Sequence, residues 1–217
     1  MPKNDKPIIR VIASDWGKVV ADFDNLRMAG ALEHHATPGE FDAVRIHEIM
    51  LREQREVYDA YMRGQITSAG FRRAMRRFLQ LTCTDTAFDA AFVDVFTLNA
   101  PIIELWKSLR AQGVKMVAAS NVEELRHKHL VKLGVHDLFD KHCLSYQIGR
   151  IKPEPEFFHE VARLAYIDPR EILFVDDHKE FVEVAERQLM QGITYDLKDH
   201  AAFLRRLEDF EFAPYQR

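Results

Sequence analysis

In the stretch VIASDWGKVV, residues 11–20, an apolar run stops at one carboxylate, Asp15, and then resumes. VKMVAAS likewise ends on Ser120 with Asn121 next, and EILFVDD ends on Asp176 and Asp177. GRIKPEPEFF carries Lys152 after a weaker run, HCLSYQ. A charge at the edge of a core needs a partner or a metal. Carboxylates from different strands suit a hard divalent cation such as Mg²⁺, which takes oxygen ligands and retains water or a phosphate oxygen. Asp176 and Asp177 are like charges side by side, which is unfavourable without a cation. A lysine beside a carboxylate holds that charge and neutralises an incoming anion. Taken singly, each residue has a plainer role: Asp15 as a strand-end cap, Ser120 and Asn121 as helix N-caps, Lys152 as a solvated loop charge.

The elements that position these residues are read from periodicity. Residues 8–14, IIRVIAS, are β-branched and apolar and read as a buried strand. Pro101 opens a helix with Ile102, Ile103, Leu105, Trp106 and Leu109 on its apolar face, and Gly113 ends it. VKMVAAS, 114–120, is a second strand, after which Asn121 and Glu124 resemble a capping box for a helix that Gly134 closes. HCLSYQ is a weaker strand, EPEFFHEVARLAY a helix and EILFVDD a strand. KEFVEVAERQLMQG is then a helix ending at Gly192, and ITYDL, 193–197, a fifth strand. Strands alternating with helices predict an α/β fold, a parallel sheet covered on both faces. Ligands in such sheets sit beyond the carboxyl ends of the strands, where the strand order reverses. Asp15, Ser120, Asn121, Lys152, Asp176 and Asp177 all fall at those ends.

Residues from about 23 to 98 break the rhythm and read as a helical insertion after the first strand. In SAGFRRAMRRFLQL, Phe71, Met75 and Phe78 share one face, leaving Arg72, Arg73, Arg76 and Arg77 as a solvated one.

Composition narrows the function classes. A chain of 217 residues that is 47% hydrophobic can bury a sizeable core in one or two domains. Its net charge of −4 gives no footprint for nucleic acid. No apolar stretch reaches bilayer length, and MPKNDKP lacks the apolar segment of a secretory signal. The expectation is a cytoplasmic monomer or homodimer with no nucleic-acid or membrane partner. Cys83 and Cys143 lie far apart in apolar surroundings and read as reduced. His127 and His129, two apart on a helix, do not face each other, and adjacent His34 and His35 are equally poor joint metal ligands.

Four segments in order, SDWGKVV, AASN, GRIKPEPEFF and LFVDD, resemble the motifs of the haloacid dehalogenase superfamily. YMRGQITSAGFRRAM resembles the cap of members with an α-helical insertion after the first strand. The resemblance runs from residue 8 to roughly 200. It implies a Rossmann-like core from residues 8–22 and 99–217 and an α-helical cap from 23–98. DWGKVVADFD is similar to the bacterial sugar-phosphate phosphatase-like members. The implied activity is Mg²⁺-dependent hydrolysis of a small phosphorylated metabolite, a sugar phosphate among the candidates. On that resemblance Asp15 is the nucleophile that forms an aspartyl-phosphate. Ser120 donates to a phosphoryl oxygen with the Asn121 backbone beside it, and Lys152 pairs with Asp15 and the phosphoryl group. Asp15, the Gly17 carbonyl and Asp176 ligate Mg²⁺, with Asp177 holding the metal shell.

Two positions depart from the pattern. Most phosphatases of the superfamily carry a second Asp two residues after the nucleophile as general acid/base; here that position is Gly17. Losing such a group costs about 10²–10⁴-fold in rate. Three readings follow: a substrate with a good leaving group such as an anomeric hydroxyl or an acyl group, a substitute among Asp22, Asp24 and His34, or a lapsed enzyme that binds or regulates. The second departure is Phe181, where many relatives place Asp or Asn, which thins the outer metal shell. Lys18 either adds positive charge for an anion or points to solvent. A 2-haloacid dehalogenase using the same Asp15 is the competing hydrolase, and it would need neither metal nor the Asp176–Asp177 pair.

Overall fold

The computed structural model describes residues 6–216; residues 1–5, on which much of the MPKNDKP reading rests, and residue 217 lie outside the described residues. The opening apolar run is divided into β1 (Ile8–Ile9) and β2 (Val11–Ser14), not one strand across 8–14. The division falls at Arg10, where the pairing partner changes from residues 211–212 to residues 115–118 and 172–175; the Arg10 guanidinium pairs with Glu171 at 2.9 Å and donates to the Pro214 carbonyl at 2.7 Å. Later, β3 (Ala21–Phe23) and β4 (Phe96–Leu98) pair antiparallel at the two ends of the helical insertion, where no strand is expected from periodicity. The remaining strands are β5 (Lys115–Ser120), β6 (Lys141–Leu144), β7 (Ile172–Asp176), β8 (Gln191–Thr194) and β9 (Glu211–Phe212).

The central sheet is parallel, in the order β6-β5-β2-β7-β8, and β1 pairs separately with β9. Its three central strands, β2, β5 and β7, are largely apolar because their side chains alternate between two covered faces, whereas the edge strands β6 and β8 carry polar residues. Ile12, Met116, Ala118, Leu173 and Val175 enter one core with Trp106 and Phe203. Their neighbours Val11, Ala13, Val117, Ile172 and Phe174 enter the other, with Phe157 and Phe158. Strand order reverses around β2, where Ser14 pairs with both Ala118 and Val175. Asp15 and Asp176 therefore leave the sheet side by side.

Between β3 and β4 lie α1 (Asn25–Glu33), α2 (Ala43–Glu48), a π-helical turn (Ile49–Glu53), α3 (Arg55–Met62), α4 (Ser68–Leu79) and α5 (Asp85–Val93). Side chains of Asp24, Asp42, Thr67 and Thr84 cap four of these helices. They enclose a core of their own, in which Tyr61 stacks on Phe71 at 4.3 Å beside Met75, Phe88 and Phe92. The arginines of α4 are not all solvated, contrary to the amphipathic reading. Arg72 grips Asp89 through two bonds of 2.6 and 2.8 Å, and Arg76 pairs with Asp85 at 2.7 Å, fastening α4 to α5. Arg73 and Arg77 are exposed.

The other helices are α6 (Ala100–Ala111), α7 (Glu124–Lys132), a single turn α8 (Ser145–Ile148), α9 (Pro155–Ala165), α10 (Lys179–Arg187) and α11 (His200–Leu207). Gly113 and Gly134 take φ of +92° and +77° after α6 and α7, as expected of glycine stops. The capping box is absent. α7 begins at Glu124 with no side-chain cap, and Glu124 bonds Ser68 and Lys128 instead. Nor does Gly192 end α10, which stops at Arg187; the left-handed turn falls on Leu189. Gly192 lies in β8, and a Cβ there would sit 2.6 Å from Val182 Cγ1, so the glycine lets helix and strand approach closely. Cys83 and Cys143 are free thiols. Among the described residues no helix is long and apolar enough to cross a membrane.

Two outcomes are expected. Gly192→Ala destabilises the fold by about 1–3 kcal/mol in urea unfolding, because Val182 is packed where the methyl must go. His127 is buried against Trp16 and bonds the Tyr146 hydroxyl at 2.8 Å. Burial, with His136, His142 and Lys128 nearby, holds its pKa down at about 4, against 6.5. Between those values the unfolded chain takes up a proton that the folded chain refuses, so this contribution to stability falls as pH falls from 6.5 towards 4. The pH slope of the unfolding free energy in that window is shallower in His127→Gln than in the wild type.

Candidate active site

Lys152 is the hub of the strand ends. Its side chain is wholly buried, with Nζ 2.5 Å from Asp176 Oδ2 and 3.2 Å from Asp15 Oδ2. Asn121 sets it there by clasping the Lys152 main chain, its Oδ1 accepting from the amide at 2.8 Å and its Nδ2 donating to the carbonyl at 3.0 Å. That clasp, rather than helix capping, is what the Asn121 side chain does. Asp15 Oδ1 accepts from the Trp16 amide at 2.7 Å, and the Ser120 hydroxyl lies on the Asp15 carboxylate side of the site. Asp176 Oδ1 accepts from the His178 amide at 2.9 Å, and Asp177 accepts from the His178 ring at 2.9 Å. A Cβ built on Gly17 would lie 3.8 Å from Asp15 Oδ2. The residues anticipated from sequence are thus brought to one locus.

Charge at this locus is unbalanced. Burial pushes the Asp15 carboxyl above the ordinary range, and Asp176 and Asp177 push the same way against Lys152 and the Ser120 hydroxyl. Burial would also raise Asp176, yet Lys152 and the His178 donors hold it below the ordinary value. Lys152 stays cationic despite its burial because two carboxylates face it. The Asp176 carboxylate 3.6 Å away and a hydrogen bond to Asp177 draw the His178 imidazole up to about 10. Three carboxylates against one buried ammonium and one half-exposed imidazole leave a hard oxygen donor set with net negative charge, which fits a divalent cation such as Mg²⁺. Asp176, Asp177 and His178 offer ligand atoms within 4.8 Å of one another.

A cavity of about 480 Å³ opens over this locus, bounded by Gly17, Ser120, Asn121 and Lys152 on one side and Leu51, Arg55, Tyr58 and Met62 on the other. None of the substitutes considered for Gly17 lines it. Asp22 is tied to the Lys18 ammonium and the Phe23 amide, Asp24 caps α1, and His34 is exposed at the end of α1. Lys18, engaged by Asp22 and the Phe23 carbonyl, neither faces the cavity nor points freely to solvent. A Cβ at Gly17 would sit 2.9 Å from Phe23 Cε1, so a side chain there requires the Phe23 ring to shift. Phe181 stacks on the His178 ring at 4.8 Å and lies 5.4 Å from the Lys152 ammonium.

Sequence reasoning passed over the cavity residues Glu123 and Arg126, absorbing them into the expected helix. The available signal was an opposite-charge pair spaced i,i+3 directly after a strand-end Ser-Asn.

A profile of haloacid dehalogenase-like hydrolases matches residues 9–187. The chain belongs to this family. Among solved structures it is similar to a HAD family enzyme of Bacteroides thetaiotaomicron in complex with magnesium and inorganic phosphate. The TM-score is 0.74 and identity 25%, over 90% of this chain and 98% of that one. Among curated relatives, it is 34% identical over 77 residues to glyceraldehyde 3-phosphate phosphatase of Methanopyrus kandleri, covering 35% of this chain and 33% of that protein. It is 38% identical over 52 residues to D-ribitol-5-phosphate phosphatase of Bacteroides thetaiotaomicron, covering 24% of this chain and 25% of that protein. The chain thus spans about a third or less of the length of these two relatives.

Lys152→Met removes the one buried cation between two carboxylates. Without added metal it costs about 3–5 kcal/mol of unfolding free energy, read by urea denaturation with EDTA present. A loss below ~1 kcal/mol would show that the carboxylates do not depend on the ammonium.

Proposed function

We propose that this protein is an Mg²⁺-dependent phosphatase of small phosphorylated metabolites, sugar phosphates among them, with residues 23–98 as a cap over a core of 8–22 and 99–217. The observation that carries this reading is the Lys152 ammonium, buried between Asp15 and Asp176 where the strand order reverses. The names of the two phosphatase relatives, and the magnesium and phosphate bound in the Bacteroides structure, support it.

On this reading a carboxylate oxygen of Asp15 attacks phosphorus as the bond from phosphorus to the alcohol oxygen breaks, and the departing oxygen takes a proton from solvent water. Water then attacks the phosphorus of the aspartyl-phosphate, releasing phosphate and returning the carboxylate. Lys152 and the Ser120 hydroxyl compensate and orient the phosphoryl oxygens, and Asn121 positions Lys152. Asp15, Asp176 and the Gly17 carbonyl would hold Mg²⁺, with Asp177 in its outer shell. The bound ion supplies charge compensation for the transferring group. With Phe23 filling the space at Gly17, no side chain there protonates the leaving group, so anomeric and acyl phosphates are the favoured substrates.

The test is phosphate release from aryl, acyl and sugar phosphates with Mg²⁺ or EDTA. Release depends on Mg²⁺, and Asp15→Asn lowers kcat by about 10⁴-fold or more. A wild type that releases no phosphate from any of the three classes refutes the reading. Halide release from 2-haloacids in EDTA would install the dehalogenase alternative. The Gly17–Phe23 contact also favours a second reading, a protein that binds without turnover; it would take up beryllium fluoride and hydrolyse nothing.

A further inference from the structure

The cavity wall contributed by α3 is one helical face carrying Arg55, Tyr58, Asp59 and Met62. The next residue, Arg63, leaves that face for the core. Its Nη2 lies 2.5 Å from Glu154 Oε1, and the two side chains are 22% and 29% exposed. Glu154 stands two residues after Lys152. Its Oε2 accepts from the Ile151 amide at 3.3 Å, and its own amide donates to the Ile151 carbonyl at 2.9 Å. These bonds close a turn around Lys152. The Arg63 guanidinium, helped by the Ile151 amide, holds the Glu154 carboxyl below its ordinary value against burial. The end of α3 is also seated closely on the core. Gly64 has φ of +66°, and a Cβ on it would fall 2.1 Å from the Tyr146 carbonyl oxygen, so main chain rests on main chain there. The Lys152 loop is therefore restrained from two sides, by Asn121 of the core and, through Glu154, by Arg63 of the insertion.

Building on the phosphatase reading, we propose that Arg63 is a positioning residue: through Glu154 it ties the seat of α3, a wall of the cavity, to the loop that delivers the Lys152 ammonium to the phosphoryl group. Arg63 does not itself line the cavity, so it acts only through Glu154. An ion pair this close to solvent contributes little to global stability. A small displacement of the Lys152 ammonium weighs far more on rate, because phosphoryl transfer relies on placed charge rather than covalent assistance. The link therefore shows in kcat and hardly in unfolding. Lys152 serves the phosphoryl group that every substrate shares, so the effect is the same whatever leaving group is attached.

The experiment measures kcat and KM with Mg²⁺ on 4-nitrophenyl phosphate and acetyl phosphate, and inhibition by orthovanadate, a mimic of the five-coordinate transition state. Arg63→Met lowers kcat by about tenfold on both substrates, leaves KM within about twofold and weakens vanadate inhibition by a like factor. Glu154→Gln keeps an acceptor for the Ile151 amide but breaks the ion pair, and gives the same loss. The double variant loses no more than either single one, because all three break one link. Arg63→Lys, which keeps the charge without the fork, retains part of kcat. Urea midpoints of all four variants stay near that of the wild type. An unchanged kcat in Arg63→Met overturns the proposal. So does a loss confined to KM, or one that differs between the two substrates, either of which would make the pair a clasp on the insertion alone. Losses that multiply in the double variant, or a urea midpoint that falls along with kcat, overturn it as well. A wild type inactive on both substrates removes the phosphatase reading and this proposal with it; an active wild type whose kcat survives Arg63→Met removes only the proposal.

Discussion

The architecture around the candidate site depends on one buried ammonium. Lys152 reaches the strand ends through a loop and carries no exposed side-chain surface, so its charge survives only because Asp15 and Asp176 flank it. The dependence is mutual. Asp15 and Asp176 leave adjacent parallel strands at the same level, and without a cation between them one would have to take a proton. Parallel pairing fixes their adjacency and the ammonium makes it tolerable. The Asn121 clasp on the Lys152 main chain then couples β5 to the loop that delivers the lysine.

That coupling shows why a doubly covered parallel sheet suits this chemistry. Alternate side chains of β2, β5 and β7 are spent on two apolar cores, so polar groups cluster only where those strands end. Around the reversal of strand order the ends of three neighbouring strands converge, and the backbone there has no sheet partner to satisfy its next residues. Trp16 and His178 show the consequence: their amides, freed from the ladder, turn to the carboxylates of Asp15 and Asp176.

Much of this was legible in the sequence because period-2 burial writes the strands as apolar runs and the polar terminators stand out against them. β2, β5 and β7, and the residues that end them, follow from that contrast; HCLSYQ and ITYDL overlap β6 and β8 but run three residues past their ends. The misreadings share a physical origin. Asn121 is a good cap by type, but its amide is recruited by a peptide 31 positions away, which no local pattern encodes. Gly192 is a good helix stop by type, but a close approach of Val182 is what excludes a side chain there. Arg72 and Arg76 lie off the apolar face of α4, yet Asp85 and Asp89 of the next helix claim them. β3 and β4 are three residues each and are specified by pairing with one another. Local propensity identifies elements, and long-range partners decide what their polar residues do.

Phe23 ties these themes together. It sits at the threshold of the insertion, in β3, with its ring edge to the ring of Phe96 in β4 at 6.2 Å. The Arg126 guanidinium lies among Phe23, Phe92 and Phe96 at 5.9, 4.6 and 5.9 Å, so the helix following Ser120 is packed directly against the insertion. The same Phe23 ring occupies the volume that any side chain at position 17 would need. An acid two residues after Asp15 and this aromatic seat for Arg126 are therefore mutually exclusive in the conformation described. The space beside Asp15 at position 17 is filled by an aromatic anchor, and the anchor helps hold the Arg126 guanidinium beside Glu123, where it balances that carboxylate's charge without hydrogen-bonding it.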